Sequence, residues 1–305
     1  MSNLYSLAEL AGREQAKLAA GEVRPNGLAS GIGLERLCPG GIPRDKVTAV
    51  YADEGTFKTT LTTHMMHSIA AAGHKVVNVS LEDSAELCAH RALGRMSGVS
   101  FGRINGGVLS EEERARVVAA QLSDAMQNIF VVDDVEPTMD RALAAARAVP
   151  GCAALVVDYI QLLDDGKDQK STLDASVRKA QLFAKSSRIA VILVSQRVKV
   201  DDQHREDPRP QTKDMFGSSA MRMGVKLAVG LFRPWNYCKV PTNAKGAYGP
   251  YVKWISSNPD NAEVYKDLLE VHVTKNVLGP PGAYHVLVHP ETGVIEPYTV
   301  EGFAR

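Results

Sequence analysis

The stretch ADEGTFKTT, Ala52 to Thr60, sets a lysine and a threonine directly after a small, glycine-containing turn. Phosphate-binding loops read G-x-x-x-x-G-K-[ST], and this one has Phe57 where the glycine before the lysine belongs. In such a loop Lys58 would reach the outer phosphates of a nucleotide and the Thr59 hydroxyl would ligate Mg²⁺. Glu54, Gly55, Thr56, Phe57 and Thr60 complete the candidate loop. If position 57 needs a positive φ, the phenylalanine costs on the order of 1–3 kcal/mol. If it is right-handed with its ring outward, the loop survives intact. A chance Lys-Thr after a turn is the competing reading.

Three further polar residues each close an apolar run. LVVD ends in Asp158, SLED follows KVVNV and carries Glu82, and ILVSQ ends in Gln196. A carboxylate at the carboxyl end of a buried strand can hold Mg²⁺ beside a phosphate loop, so Asp158 is the metal candidate with Thr59. Glu82 can activate an attacking water, and Gln196 can hydrogen-bond the γ-phosphate and respond to its loss. Each has a structural counterpart: Asp158 as a helix cap, Glu82 as a first-turn acid beside a helix dipole.

These residues need a scaffold. From Lys46 to Gln196, runs rich in Val, Ile and Leu alternate with helical segments. The strands read as 46–52, 75–81, 128–134, a stretch within 153–163, and 189–196. The helices read as 58–72, 84–96, 110–126, 138–148 and 172–187. Near-continuous apolar strands alternating with helices mean an α/β fold with a mostly parallel sheet covered on both faces. Beyond a polar loop, strands near 226–232, 267–274 and 284–289, with the GPPG turn, read as antiparallel additions to the same sheet. Ahead of it all, residues 4–18 pattern as a helix with Leu4, Leu7, Leu10, Ala11 and Leu18 along one face, followed by a loop to Gly31. That helix is either a frayed terminus or an arm that docks elsewhere.

Bulk properties exclude several classes. The chain has 305 residues, a formal net charge of +0 and four scattered cysteines without a C-x-x-C pair. No global basic field advertises nucleic acid, so any DNA contact must be local. The cysteines suit a reducing cytoplasm rather than a disulfide scaffold. No apolar run suggests a membrane span, and no signal peptide is evident at the start.

The order S-L-E, then V-V-D-Y-I-Q-L-L, then V-S-Q resembles the RecA-type motor domain of the DnaB family of hexameric replicative helicases. GLERLCPGGIPRDKVTAVYA before the loop, RALGRMSGVSFGRINGGVLSEEERARV after SLED, VVDD, and RPQTKDMFGSSAM extend the likeness over about residues 32–288. The resemblance implies a RecA-like P-loop NTPase core over residues 32–305, preceded by a linker over residues 1–31 that packs on the next subunit. It implies ATP and Mg²⁺ at Lys58, Thr59 and Asp158, catalysis with Glu82, and Gln196 as the link to DNA loops. It further implies a homo-oligomeric, hexameric ring with ATP between subunits and single-stranded DNA in the channel. Arg197, Lys199, Lys213, Phe216, Gly217 and Ser218 fall at the DNA-loop positions. A solvated loop is the bland alternative for the cations among them. A primase or a helicase loader is a further partner. The expectation is of a linker without the family's amino-terminal helical domain before it, so primase docking through that domain is not implied.

Departures accompany the likeness. Phe57 replaces glycine. The family's late K-x-R-x-G-P becomes VTKNVLGPPG, which keeps Lys275 but has Val277 where an arginine finger belongs. Arg222 and Arg233 are candidate substitutes. Phe216 stands where an arginine is usual. Asp133 and Asp134 read as helix caps, His64 and His67 as packing or surface residues. Trp235, Tyr237, Tyr248, Tyr251 and Trp254, with Lys239, Lys245 and Lys253, read as a folded-over loop cluster or, less simply, a nucleic-acid surface. Two rival functions stay open: a recombination or filament ATPase of the RecA or KaiC kind, and a weakly hydrolysing protein that binds a helicase or its loader.

Overall fold

The computed structural model describes residues 5–21, 26–133, 136–198, 207–215, 219–237 and 248–299. Helix α1 (Leu7–Ala19) opens with a capping box in which the Ser6 hydroxyl accepts from Glu9 N while Glu9 caps Ser6 N in return. None of its residues is buried, and Leu7 and Leu18 are 82% and 65% exposed. A two-stranded ribbon follows, β1 (Gly27–Leu28) against β2 (Ile42–Pro43). Then come β3 (Val47–Ala52), α2 (Lys58–Ala71), β4 (Lys75–Ser80), α3 (Ala85–Ser97), α4 (Phe101–Asn105), α5 (Glu111–Gln121) and α6 (Asp124–Gln127). The alternation continues through β5 (Ile129–Val132), α7 (Met139–Ala148), β6 (Cys152–Asp158), α8 (Gln169–Ser187) and β7 (Ala190–Gln196). The described chain closes with α9 (Ser219–Gly224), β8 (Leu227–Phe232), α10 (Pro234–Tyr237), α11 (Gly249–Ser257), α12 (Asn261–Asp267), β9 (Leu268–Asn276), β10 (Gly282–His289) and β11 (Val294–Tyr298).

The nine-stranded sheet runs β11-β10-β9-β8-β3-β7-β6-β4-β5. Strands β8 through β5 in that order pair in parallel, so the strand near 226–232, expected as an antiparallel addition, instead runs parallel to β3; β9 and β10 add antiparallel as the sequence predicts, and β11 follows them. Alternation along β3 fills both faces: Val50 and Ala52 pack toward Leu61 and Met65 of α2, while Ala49 and Tyr51 join the cluster that holds Leu173 and Phe183 of α8. Both faces of the central strands are therefore core, which is why their sequences lack a polar alternation.

The structure departs from the predicted elements in places. The predicted helix over 110–126 is broken at Leu122, because the Ser123 hydroxyl accepts from Met126 N and starts α6 afresh. Helix α8 begins at Gln169, capped by the Asp168 side chain, rather than at Thr172. Strand β11 has no predicted counterpart: it carries Pro297 and buries only Ile295, as an edge strand can. Helices α11 and α12 occupy the aromatic insertion, where Tyr251, Trp254 and Tyr265 are buried against Trp235 and Tyr248. Its described aromatic residues thus mostly make a packed satellite core; Lys239 and Lys245 lie outside the described residues. Among the described residues no helix is long and apolar enough to cross a membrane.

One buried charge cluster ties the late strands to the segment after β7. Glu270 on β9 accepts from Arg209 Nε at 2.7 Å and Nη2 at 2.8 Å, lies 2.5 Å from His272 Nε2, and accepts from the Tyr251 hydroxyl. Burial alone would raise the Glu270 carboxyl, but His272 and Arg209 outweigh it and hold it well below the usual carboxylate range. A carboxyl depressed in this way adds stability that is complete above the ordinary range and fades as the pH falls through the folded-state value. Glu270→Ala strands Arg209, so urea unfolding at pH 7 is expected to show a loss of about 3–5 kcal/mol. That loss should shrink in strongly acidic buffer.

Candidate nucleotide site

Parallel register brings the chemistry to one rim. Ala52, the last residue of β3, pairs with Gln196, the last of β7. Ser80, the last of β4, pairs with Asp158, the last of β6, and Leu81 N donates to the Asp158 carbonyl at 2.8 Å. Four strands therefore release the phosphate-loop candidate, Glu82, Asp158 and Gln196 at the same carboxyl edge, where open α/β sheets hold ligands.

The loop turns through Gly55 at φ 68° and Phe57 at φ 58°, and α2 starts at Lys58. A β-carbon on Gly55 would meet nothing within 4 Å, so glycine serves there for its backbone and not for space. Phe57 is the costly alternative raised by the sequence: it does occupy the left-handed region. Its ring packs on the core cluster that contains Leu61 and is covered by the Arg233 guanidinium, 4.4 Å from the ring centroid. Arg233 is in turn held by the Lys266 carbonyl, at 3.1 Å from Nε and 2.8 Å from Nη2.

Lys58 folds back on its own loop, donating from Nζ to the carbonyls of Asp53 at 2.8 Å and Ala52 at 3.3 Å. Burial lowers its pKa, and the nearby carboxylates of Asp158, Asp53, Glu82 and Glu54 oppose that shift. Asp158 is 8% exposed, and burial pushes its carboxyl from 3.8 up to about 6. The nearby Thr59 hydroxyl counters the rise, Glu82 adds to it, and Lys58 counters it. Lys58, Thr59, Glu82 and Asp158 therefore feel one another directly. A cavity of about 140 Å³ opens behind Thr59 and Asp158, bordered by Ser80, Asn78, His67 and Cys88.

Gln196 is half-buried at the rim. Its position is set by Gln161, whose Nε2 donates to Ser195 Oγ at 2.9 Å and to the Gln196 carbonyl at 3.1 Å, while its Oε1 accepts from Gln196 N at 3.3 Å. Sequence reasoning quoted Gln161 inside DYIQLL without giving it a task; its spacing of three from Asp158 was the available signal. Two other residues at the loop were missed. Asn236 and Tyr237 of α10 reach Thr56 and Asp53, Asn236 Nδ2 to Thr56 Oγ1 at 3.5 Å and the Tyr237 hydroxyl to the Asp53 carboxylate. Sequence position places Tyr237 with the aromatic insertion, whereas its hydroxyl serves the loop. Asp133 accepts from Ala85 N at 2.6 Å and so caps α3, as expected; Asp134 lies outside the described residues. His64 and His67 are buried packing residues on α2.

The residues assigned to DNA and to the neighbouring site distribute differently. Lys213 is exposed on a short turn, Thr212–Asp214. Arg197 is 5% exposed and paired with Asp53 and Asp214, so it does not present its guanidinium to a strand. Lys199, Phe216, Gly217 and Ser218 lie outside the described residues. Lys275 pairs with Ala228 near the start of β8, toward the rim opposite the phosphate loop, and donates from Nζ to the Arg222 carbonyl at 2.6 Å. Val277, 48% exposed, lies at that same opposite rim, and Arg233 lies at the chain's own phosphate loop.

Residues 27–295 match the family model described as DnaB-like helicase C terminal domain. Among curated proteins the chain is similar to the Replicative DNA helicase DnaB of Buchnera aphidicola subsp. Acyrthosiphon pisum, 27% identical over 202 residues, which are 63% of this chain and 44% of that protein. It is also similar to the Replicative DNA helicase DnaC of Bacillus subtilis, 23% identical over 257 residues, 82% of this chain and 51% of that protein. The chain thus spans about half the length of these curated relatives. Among solved structures, the ATPase Domain of G40P superposes with a TM-score of 0.80 at 18% identity, covering 97% of this chain and all of that one. A DnaB-like replicative helicase, solved in a study of its interactions with primase, gives 0.77 at 18% identity, covering 98% of this chain and 68% of that one. At such identities the superpositions speak for the fold.

The raised Asp158 carboxyl makes a sign-specific expectation. A carboxyl whose folded pKa exceeds its unfolded value costs stability once it ionises, so the cost is absent below about pH 4, grows toward pH 6 and is complete above it. In metal-free buffer at pH 8, Asp158→Asn is therefore expected to raise the unfolding free energy by up to about 3 kcal/mol, with the gap closing near pH 4. Chemical denaturation of both proteins across that range checks it.

Proposed function

Since this chain belongs to the family of DnaB-like helicase C-terminal domains, we propose that it is the motor part of an ATP-driven ring helicase that moves on single-stranded DNA during replication. The observation that carries the reading is the mutual approach of Lys58, Thr59, Glu82 and Asp158 at the rim where β7 delivers Gln196. The family match does not favour a recombination ATPase of the RecA or KaiC kind. Val277 leaves weak hydrolysis as the second reading.

The donor set fits a nucleoside triphosphate with magnesium. Free amides at the start of α2 and the Lys58 ammonium would receive the phosphates. Thr59 and Asp158 would hold Mg²⁺, the carboxylate directly or through water, and the bound metal would neutralise charge on the outer phosphates. Both border the same cavity. Lys58 has only to exchange two loop carbonyls for phosphate oxygens. Glu82, exposed at the rim, would accept the proton of the attacking water at its carboxylate. Gln196, fixed by Gln161, would sense the terminal phosphate. Lys275 with Arg222 would serve the site of an adjacent copy, which fits their position at the opposite rim. Lys213, with Lys199, Phe216, Gly217 and Ser218, would face the strand, whose phosphates basic and amide groups bind without regard to sequence. A primase or helicase loader is the further partner we propose, and the cytoplasm the compartment.

Unwinding of a forked duplex tests the site. Glu82→Gln is expected to lower the rate by about 10²–10⁴-fold, the range of a lost acid–base group, and Lys58→Ala by about 10²–10³-fold, the range of a lost charge-stabilising group. Normal unwinding by both variants would refute the assignment. The exposed Leu7, Leu10 and Leu18 of α1 support its role as the arm that docks on a neighbouring copy. Replacing all three with serine is expected to shift the mass seen by light scattering from ring to smaller species. An unchanged mass would remove the arm from the assembly.

A further inference from the structure

We propose that Arg197 is a positioning residue that couples the phosphate loop to the Thr212–Asp214 turn that carries Lys213, its fork shared between one carboxylate on each side. This rests on the motor reading above and deepens it. Arg197 follows Gln196 at the end of β7, and its side chain is 1% exposed. Nη1 lies 3.1 Å from Asp53 Oδ2 and donates to the Tyr237 hydroxyl at 3.2 Å. Nη2 lies 3.2 Å from Asp214 Oδ2. Asp53 is the first residue of the loop, and its carbonyl holds Lys58. Asp214 is the neighbour of Lys213, and it closes the base of the segment that leaves β7. Its carboxylate accepts from Gln211 N at 2.8 Å, its carbonyl accepts from Val198 N at 2.9 Å, and Met215 bridges Arg197 in antiparallel fashion.

The chemistry explains why an arginine stands here. A planar guanidinium presents donors in several directions, so it can address two carboxylates on different elements at once; an ammonium is a point charge. The Arg197–Asp214 pair is buried on both sides and little screened by salt, while the Asp53 carboxylate, 36% exposed, stays open to the incoming phosphates. A triphosphate entering the loop draws Lys58 off the Asp53 and Ala52 carbonyls and sets negative charge beside Asp53. The Asp53 side of the fork then changes, and the same guanidinium passes the change to Asp214. By reciprocity a strand gripped beside Asp214 alters nucleotide affinity by the same factor.

The test measures that factor. Affinity for a fluorescent oligothymidylate is read by anisotropy, with and without a non-hydrolysable ATP analogue and magnesium, for the full chain. The wild-type chain is expected to show a ratio in the usual coupling range, roughly 5–150-fold. Arg197→Lys and Asp214→Asn should each bring that ratio to within about twofold of one, and the double variant should go no further. A merely structural role would weaken one or both affinities and leave the ratio as it was. Thermal melts establish that each variant is folded; if Arg197→Lys is not, Asp214→Asn carries the same test. Folded variants that keep the wild-type ratio overturn the proposal, as does a wild-type chain that binds both ligands with a ratio of one. A wild-type chain that binds neither ligand overturns the motor reading itself.

Discussion

Thr59 on the first turn of α2 and Asp158 at the end of β6 border the same cavity, and the site is organised around that approach. The two residues come from segments about a hundred positions apart, so the approach exists only because the parallel strands end level. Ser80 opposite Asp158 and Ala52 opposite Gln196 express the same levelling. A slip of one residue in any of these pairings would turn the functional side chain to the opposite face, into the core. The packing on both faces of β3 opposes such a slip, since Val50 and Ala49 belong to different cores. Stability and chemistry thus depend on one register. The two also compete: the sheet buries a carboxylate that would be more comfortable in water, a common property of sites that bind charged ligands.

Phe57 shows how a departure from the loop pattern is tolerated. A left-handed phenylalanine costs about 1–3 kcal/mol. The cost is offset in part by the Arg233 guanidinium on its ring, a contact worth about 0.5–2 kcal/mol when partly desolvated. The ring also packs on the core cluster that includes Leu61. A glycine would bend the loop more cheaply but would leave Arg233 without its platform. Phe57 thereby links the loop, through Arg233, to Lys266 at the end of α12.

The fold was legible where burial dictates composition. Strands covered on both sides must be apolar throughout, and β3, β4, β6 and β7 announced themselves in that way. Strand β11 did not, because an edge strand half in water needs no such run. The placement of Asp158, Glu82 and Gln196 at one rim was legible because each lies where an apolar strand ends. Residues that orient others were not: Gln161, Tyr237 and Asp53 act through contacts across 35, 40 and 144 positions, and no local spacing encodes these. Arg197 was misjudged for a related reason. An arginine after a strand usually belongs to solvent, and only the two carboxylates that surround it reveal that it is buried.

The same commitments bear on where the cation that answers the developing phosphate charge would come from. Among the described residues, the arginines beside the loop are already engaged, Arg233 with Phe57 and the Lys266 carbonyl, Arg197 with Asp53 and Asp214. Freeing either would give up the contact that shapes the loop or the one that ties it to the strand segment. Lys275 and Arg222, by contrast, sit together at the far rim, away from their own chain's candidate nucleotide site. A head-to-tail arrangement of copies brings one rim of each chain against the opposite rim of the next, and such contacts close into rings when the rotation allows. Val277 in place of an arginine then matters less than which cation shares its rim. In such a ring the work of a finger would fall to Lys275 and Arg222, and the site would be complete only between two chains.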